Sequence, residues 1–115
     1  MKVYKGGTGD MRKVDEEKIV SVIASAGSAK SFAFQAMEEA EEGDLSAAWD
    51  SLEEARKALV EGHQAHTDIL HIDVTEGVEV TLLIVHASNH LSNAEMSIDF
   101  AERIIKLYER GVKNA

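Results

Sequence analysis

Residues 78–91, VEVTLLIVHASNHL, decide between a helical fold and a mixed one. The first half of this stretch is rich in β-branched residues, which favour a strand. No other part of the chain has a pattern that could pair with it, and a lone strand is not stable. The second half places His86 and His90 four residues apart, on one face of a helix. We therefore predict a helix here and an all-α fold.

Along the whole chain, apolar residues recur three and four residues apart in three long segments, as on the buried side of a helix. The first segment runs from about Asp15 to Gly43, the second follows at once, and the third runs from about Val80 to Gly111, after a break at Asp73–Gly77. Short connections make neighbouring helices antiparallel, so we predict an antiparallel three-helix bundle. The predicted core seams are Ile19, Val22, Ala26, Ala29, Ala33, Ala36 and Ala40; Leu45, Ala48, Leu52, Ala55, Leu59, Gly62, His66 and Ile69; and Ile84, Ala87, Leu91, Ala94, Ile98, Ala101, Ile105 and Tyr108.

The chain of 115 residues is short enough for one domain. Its first 14 residues hold three glycines and four basic residues, which predicts a flexible N-terminal arm at 1–14 and a helical domain at 15–115. Gly27, inside the first helix, predicts the close approach of another backbone or access to a site. One bundle has a single interior, so a second apolar stripe on the third helix predicts an oligomer interface. This stripe contains Val85, Asn89, Met96, Phe100 and Leu107.

The composition excludes several classes of function. A formal net charge of −9 argues against nucleic acid or an anionic membrane as the main partner. The chain has no cysteine, which rules out disulfides, thiol catalysis and thiolate-bound zinc. No apolar run approaches the roughly 18 residues of a membrane span, and the first residues do not resemble a signal peptide. The simplest expected location is the cytoplasm.

Four histidines are expected near one end of the predicted bundle. Two lie late in the second helix and two lie early in the third, and an antiparallel arrangement brings these parts of the chain together. Neighbouring polar residues on the same turns join them. The predicted cluster comprises His63, His66, Thr67, His86, Asn89 and His90.

Three chemistries fit such a cluster. The first is a metal site, since histidines three or four residues apart can share an ion, although Ala87 stands where a zinc protease has its glutamate. The second is general acid–base catalysis, for which no nucleophile or carboxylate partner accompanies the histidines. The third is covalent catalysis, in which an imidazole nitrogen accepts a phosphoryl group and nearby donors hold its oxygens. Around His86, the candidate donors are His66, Ser88 and His90.

Five motifs, in order along the three helices, resemble one known family. They are residues 23–31 IASAGSAKS, 40–45 AEEGDL, 62–67 GHQAHT, 82–91 LLIVHASNHL and 104–111 IIKLYERG. The third is similar to the family's Ala-His-x-x-Gln-Thr, and the fourth to its Val-His-Ala-Gln-Asp-His-Leu. From about residue 16 to 112, the chain resembles the lactose/cellobiose (chitobiose)-specific enzyme IIA family of the bacterial sugar phosphotransferase system.

The resemblance implies a homotrimer of three-helix bundles, nine helices in all, with active sites at the subunit interfaces. It implies a phosphotransferase component that requires no cofactor. In it, His86 accepts a phosphoryl group from the histidine-containing phosphocarrier protein and passes it to a cysteine of enzyme IIB. A sugar of the lactose, cellobiose or chitobiose type then enters through the membrane component IIC. His90 and His66, with Ser88, would support the phosphoryl site.

Three positions depart from the family's motifs. Asn89 replaces an aspartate at which the family holds a metal ion in the trimer interior, and an amide lacks the charge that attracts a hard cation. We therefore predict no magnesium-type metal site, and a trimer held by apolar contacts and a ring of asparagines. Ser88 and His66 each replace a glutamine, which alters the expected phosphoryl contacts. The alternative function is a non-catalytic regulatory or metal-binding bundle derived from this fold.

Overall fold

Three long helices make up the described chain. The structure, a computed structural model, describes the backbone of residues 7–76 and 82–114 and the side chains of residues 16–71 and 82–111. The helices are α1 (Gly7–Glu41), α2 (Leu45–Glu76) and α3 (Leu82–Asn114), and each packs against the other two. They form a rod of 67 × 18 × 16 Å. The predicted all-α three-helix bundle is confirmed.

Side-chain contacts show that α2 and α3 run in opposite directions. The Trp49 indole near the start of α2 donates to Glu109 near the end of α3. Further along α2, Arg56 binds Glu102 at 3.1 Å. Because residue numbers rise on α2 while they fall on α3, the two helices are antiparallel, as predicted. The Lys106 ammonium, 3.0 Å from Glu102, and the Arg56 guanidinium lower the pKa of the Glu102 carboxyl.

The core follows the predicted seams closely. All seven seam residues of α1 are buried, and five of them are alanines, so the neighbouring helices can come close. Leu52 on α2 and Ile105 on α3 are the large side chains that fill this space, both with no exposed surface. Tyr108 is an exception, because it is 41% exposed although the pattern put it in the seam. Small residues facing large ones therefore explain how three straight helices share one narrow core.

Gly43 and Asp44 lie in the connection between α1 and α2. Gly43 has a φ of +88°, the left-handed conformation that ends many helices. Its N–H binds the Ala40 carbonyl at 3.0 Å, and the Asp44 N–H binds the Glu39 carbonyl at 2.9 Å, which together form a Schellman motif. The Asp44 carboxylate then accepts from the Ala47 N–H at 3.2 Å and caps α2.

The helix ends differ from the sequence prediction elsewhere. α1 begins at Gly7 rather than near Asp15, so the backbone of residues 7–14 is helical where a loose arm was predicted. α2 continues through Asp73 to Glu76, and α3 passes Gly111 to reach Asn114. The chain contains no proline, and a glycine alone weakens a helix by only about 1 kcal/mol. Residues 1–6 and 77–81 lie outside the described residues, and independent movement of the arm stays a prediction.

The glycine that permits close packing is Gly62 and not Gly27. A methyl group added at Gly62 would lie 2.8 Å from Leu91 Cδ2 on α3 and 3.3 Å from Ser25 Cβ on α1. At Gly27 the added group would meet nothing within 4 Å. The predicted close approach at Gly27 is therefore wrong within the described chain. All three helices instead meet at Gly62.

Replacing Gly27 by alanine is expected to stabilise the protein by about 1 kcal/mol, because alanine is the better helix former and the site has room. Urea unfolding followed by circular dichroism measures the change. Gly62→Ala is the matched control, since it brings the same gain in helix propensity together with crowding against Leu91. Equal stabilisation by both substitutions would contradict the packing at Gly62.

Candidate functional site

His86 and His90 form a pair near the start of α3. They lie one turn apart, and their Nε2 atoms are 3.1 Å from each other. The rings meet edge to face, with centroids 4.5 Å apart and an interplanar angle of 88°. His86 is exposed and His90 is half-buried. A hydrogen bond between two imidazoles requires one N–H donor and one lone pair, so a single proton lies between these two nitrogens when both rings are neutral.

A second pair joins α3 to α2 nearby. His66 Nε2 lies 2.7 Å from Ser88 Oγ, and both side chains are half-buried. His66 comes one turn after Gly62, where α2 approaches Leu91 most closely. Leu91 directly follows His90 in the chain. The close packing at Gly62 and the His66–Ser88 bond therefore fix the first turns of α3, which carry His86 and His90, against α2.

The structure brings the predicted residues together as two pairs, not as one cluster. Within the described side chains, no hydrogen bond connects the His86–His90 pair to the His66–Ser88 pair. Residues two apart on a helix point in different directions, which explains why Ser88 faces α2 while His86 does not. His63 lies outside both pairs, with an exposed side chain. Of the predicted four-histidine cluster, the structure shows two hydrogen-bonded pairs, with His63 in neither.

The described side chains also lack the predicted ligand set for a metal. No group of three or more histidine and carboxylate side chains in residues 16–71 and 82–111 is arranged to hold an ion. Asn89 is exposed on α3 and offers an amide in place of a carboxylate. An uncharged amide is a weak ligand for a hard divalent cation when no carboxylate accompanies it.

The second apolar stripe lies on the outer face of α3. Val85, Met96, Phe100 and Leu107 are 44%, 52%, 55% and 58% exposed, so none of them takes part in the core of the protomer. The predicted position of this stripe, away from the core, is confirmed. Its role as an oligomer interface stays a prediction. None of the described helices is long and apolar enough to cross a membrane.

The comparisons with known proteins agree with this arrangement. A profile of the family described as PTS system, Lactose/Cellobiose specific IIA subunit, matches residues 17–109. The chain belongs to this family. It is therefore an enzyme IIA, a component of the sugar phosphotransferase system, and the family resemblance of its five motifs is confirmed.

Several enzyme IIA relatives cover most of the chain. The N,N′-diacetylchitobiose-specific EIIA component of Escherichia coli is 33% identical over 96 residues, which are 83% of each chain. The lichenan-specific enzyme IIA component of Bacillus subtilis is 36% identical over 101 residues, 87% of this chain and 92% of the relative. The cellobiose-specific EIIA component of Lactococcus lactis is 37% identical over 93 residues, 80% of each.

Solved structures share the fold. The crystal structure of the cellobiose-specific enzyme IIA from Bacillus anthracis matches with a TM-score of 0.82 and 27% identity, over 88% of this chain and 94% of that one. A solution structure of the Escherichia coli IIA(Chitobiose)–HPr complex matches with a TM-score of 0.76 and 33% identity, over 84% and 94%. Enzyme IIA proteins thus supply the architecture in which the two histidine pairs lie.

Proposed function

We propose that this enzyme IIA accepts a phosphoryl group on His86 from the histidine-containing phosphocarrier protein HPr and passes it to a cysteine of an enzyme IIB. The observation that carries the proposal is the exposed His86 ring with His90 Nε2 3.1 Å from its own Nε2. A phosphoryl acceptor needs an open nitrogen and a donor beside it, and this pair offers both. The likeness to the enzyme IIA of a IIA(Chitobiose)–HPr complex supports HPr as the phosphoryl donor.

The transfer balances without a further reactant. The lone pair of His86 Nε2 attacks the phosphorus of the phosphohistidine on HPr, and the P–N bond to HPr breaks. The departing imidazole keeps that electron pair and takes up a proton, which balances the Nδ1 proton that the phosphorylated His86 ring releases. For this attack, the proton between the two rings must reside on His90. The His90 N–H then donates to a phosphoryl oxygen on His86 instead of to the nitrogen. In the second step a thiolate of enzyme IIB attacks the same phosphorus, and His86 leaves as a neutral imidazole after protonation.

The start of α3 favours the phosphorylated form. Partial positive charge accumulates at the N-terminal end of a helix, and it stabilises anionic groups within about the first turn. α3 begins at Leu82, and His86 is therefore one turn into the helix. Because the side chains of helical residues lean toward the helix N-terminus, a phosphoryl group on His86 would lie toward this end.

We assign His66 and Ser88 a positioning role in the phosphoryl site. Their bond ties α3 to α2 two residues from His86. Ser88 points toward α2, so the support it gives within one protomer acts through the helix backbone and not through direct contact with the phosphoryl group.

The relatives indicate the class of sugar. Those named above are described as specific for N,N′-diacetylchitobiose, lichenan and cellobiose, and we propose a disaccharide of the chitobiose or cellobiose type for the system that this protein serves. The sugar would enter through a membrane component IIC, to which this protein is linked only indirectly, through enzyme IIB. As a phosphocarrier, the protein is expected to meet its partners in the cytoplasm.

A reconstituted transfer reaction tests the proposal. The full chain is incubated with phosphoenolpyruvate, enzyme I and HPr, and its intact mass is measured under alkaline conditions that preserve phosphohistidine. We expect one acid-labile phosphoryl group per chain, which disappears when a cognate enzyme IIB is added. No label, together with zinc binding through the histidines, would support the alternative of a non-catalytic metal-binding bundle.

We further propose that the protein is a homotrimer that needs no metal. The outer stripe of α3 supplies the apolar contacts, and Asn89 lies within it, one turn beyond Val85. Three amides near a common axis can hydrogen-bond to one another, whereas three carboxylates would repel and call for a cation.

Chelation is therefore expected to leave the trimer intact. Sedimentation velocity of the full chain with and without EDTA measures this directly. In Asn89→Asp, we expect the trimer to weaken in EDTA and to recover when magnesium is added, because carboxylates restore a charged ligand set. Dissociation of the unaltered protein by EDTA would contradict a metal-free interior.

A further inference from the structure

Charged residues lie in or beside the apolar stripe on the outer face of α3, and three of them are Asp99, Arg103 and Arg110. At about 100° per residue, Val85, Met96 and Arg103 project within about 20° of one another. Asp99 lies one turn before Arg103, about 40° to one side of it. Within the protomer this face is directed away from the core seam of α3. An arginine in the centre of an apolar stripe needs an acidic partner if that stripe is to be covered.

Neither Asp99 nor Arg103 is neutralised by a side chain in the described part of the protomer. Among the described side chains, Asp99 and Arg103 take part in no ion pair, although they are four residues apart on one helix. The nearest acidic residue along the chain, Glu102, is already bound by Arg56 at 3.1 Å and by Lys106 at 3.0 Å. Asp99 and Arg103 instead line an open depression of about 510 Å³, together with Met96, Phe100 and the mutually paired Glu102 and Lys106.

We propose that Asp99 of each protomer forms an ion pair with Arg103 of its neighbour, and that a ring of these pairs fixes the register of the homotrimer. The inference rests on the homotrimer of the proposed function. In a parallel three-fold arrangement each protomer offers one unpaired acid, Asp99, and one unpaired base, Arg103, at this level of the stripe, so three equivalent pairs close the ring. The guanidinium presents a planar fork that a carboxylate can accept with two hydrogen bonds.

A second copy of this chain fits the surface better than another protein does. The surface carries both signs of charge one turn apart on an apolar background, so a uniformly acidic or basic partner would satisfy one residue and repel the other. A copy in parallel orientation supplies both complements at once. The same register brings the Asn89 side chains into one layer, about four helical turns nearer the start of α3. Polar residues in an apolar helix seam are a known means of fixing register.

Charge exchange tests the ion pair. Sedimentation velocity over a range of concentrations is applied to the full chain, to Asp99→Arg, to Arg103→Asp and to the double exchange. We expect each single change to raise the protein concentration at which half of the chains are in trimers by at least about tenfold. The reason is that like charges then face each other. The double exchange restores most of the assembly, since the pair is rebuilt with its charges reversed.

Matched controls use the exposed ion pair of Glu54 and Lys57 on α2, whose atoms are 3.3 Å apart. Glu54→Arg and Lys57→Asp make the same changes of charge elsewhere, and assembly should stay at the wild-type level. Arg103→Lys keeps the charge and is expected to remain a trimer. Circular dichroism confirms that every variant is folded.

Three results would overturn the inference: a monomeric wild-type protein, single variants that assemble normally, or a double exchange no better than the single changes. Phosphoryl uptake on His86 is measured on the same samples. A wild-type trimer that takes up no phosphoryl group counts against the phosphocarrier function alone, so the two failures are distinguishable.

Discussion

His86→Ala is expected to take up no phosphoryl group from phosphorylated HPr under conditions that fully label the wild-type protein. The substitution removes the nitrogen lone pair that attacks phosphorus, and no neighbouring group restores it. His90 keeps its ring, but with His86 gone it loses the partner 3.1 Å away that holds its proton in place. Intact mass measurement under alkaline conditions reports the label, and the expected loss is complete within detection.

The fold should survive this change, because His86 is exposed and contributes nothing to the buried core. His63→Ala is the matched control, since it removes an exposed imidazole from α2 that belongs to neither histidine pair. We expect His63→Ala to be labelled like the wild type. A labelled His86→Ala would disprove the assignment, and peptide mapping of that label to His90 would identify the true acceptor.

The fold could be predicted from sequence because its core pattern is simple. Every seam residue of α1 from Ile19 to Ala40 is buried, and the Gly43–Asp44 junction forms the cap that its residues favour. The helix ends are harder to predict, because Asp15 follows several glycines and has a side chain that favours a helix start. A helix cap or a glycine changes the free energy of helix formation by only about 1 kcal/mol. The continuation of a long helix can outweigh this amount.

The hydrogen-bonded pair of His86 and His90 could be predicted from the sequence, whereas the bond between His66 and Ser88 could not. Helical spacing correctly paired His86 with His90, because residues four apart share a face. Proximity at one end of the bundle then suggested that every polar residue there joined one cluster. Only the direction of each side chain separates Ser88, which faces His66, from the outward pair. Sequence position gives that direction to within tens of degrees, which is too coarse to predict a hydrogen bond.

Arg103 was missed for a related reason. The outer stripe is recognisable in the sequence by its apolar members, and a charged residue in line with them does not add to that pattern. Its projection relative to Val85 and Met96 could be calculated from sequence by helical periodicity. What the sequence could not supply is that Asp99 and Arg103 have no ion-pair partner among the described side chains, because that depends on which charges Arg56 and Lys106 already neutralise.

The second large effect is expected at His90. His90→Ala should lower the rate of phosphoryl uptake by about 100-fold, the typical loss when one donor to a transition-state oxygen is removed. His90→Gln keeps an N–H donor on the same turn of α3. We therefore expect it to take up the phosphoryl group at least about tenfold faster than His90→Ala. Rapid quenching of the reaction with phosphorylated HPr, followed by intact mass measurement, gives the rates.

Thermal unfolding separates this role from a structural one. The His86–His90 bond lies at the exposed surface, so both His90 variants should unfold near the wild-type temperature. Wild-type uptake by His90→Ala would show that the 3.1 Å bond has no part in the transfer. Equal loss in the alanine and glutamine variants would mean that the imidazole acts through its shape or its own titration. Recovery in the glutamine variant alone is the result that assigns His90 the single N–H on which the proposed transfer depends.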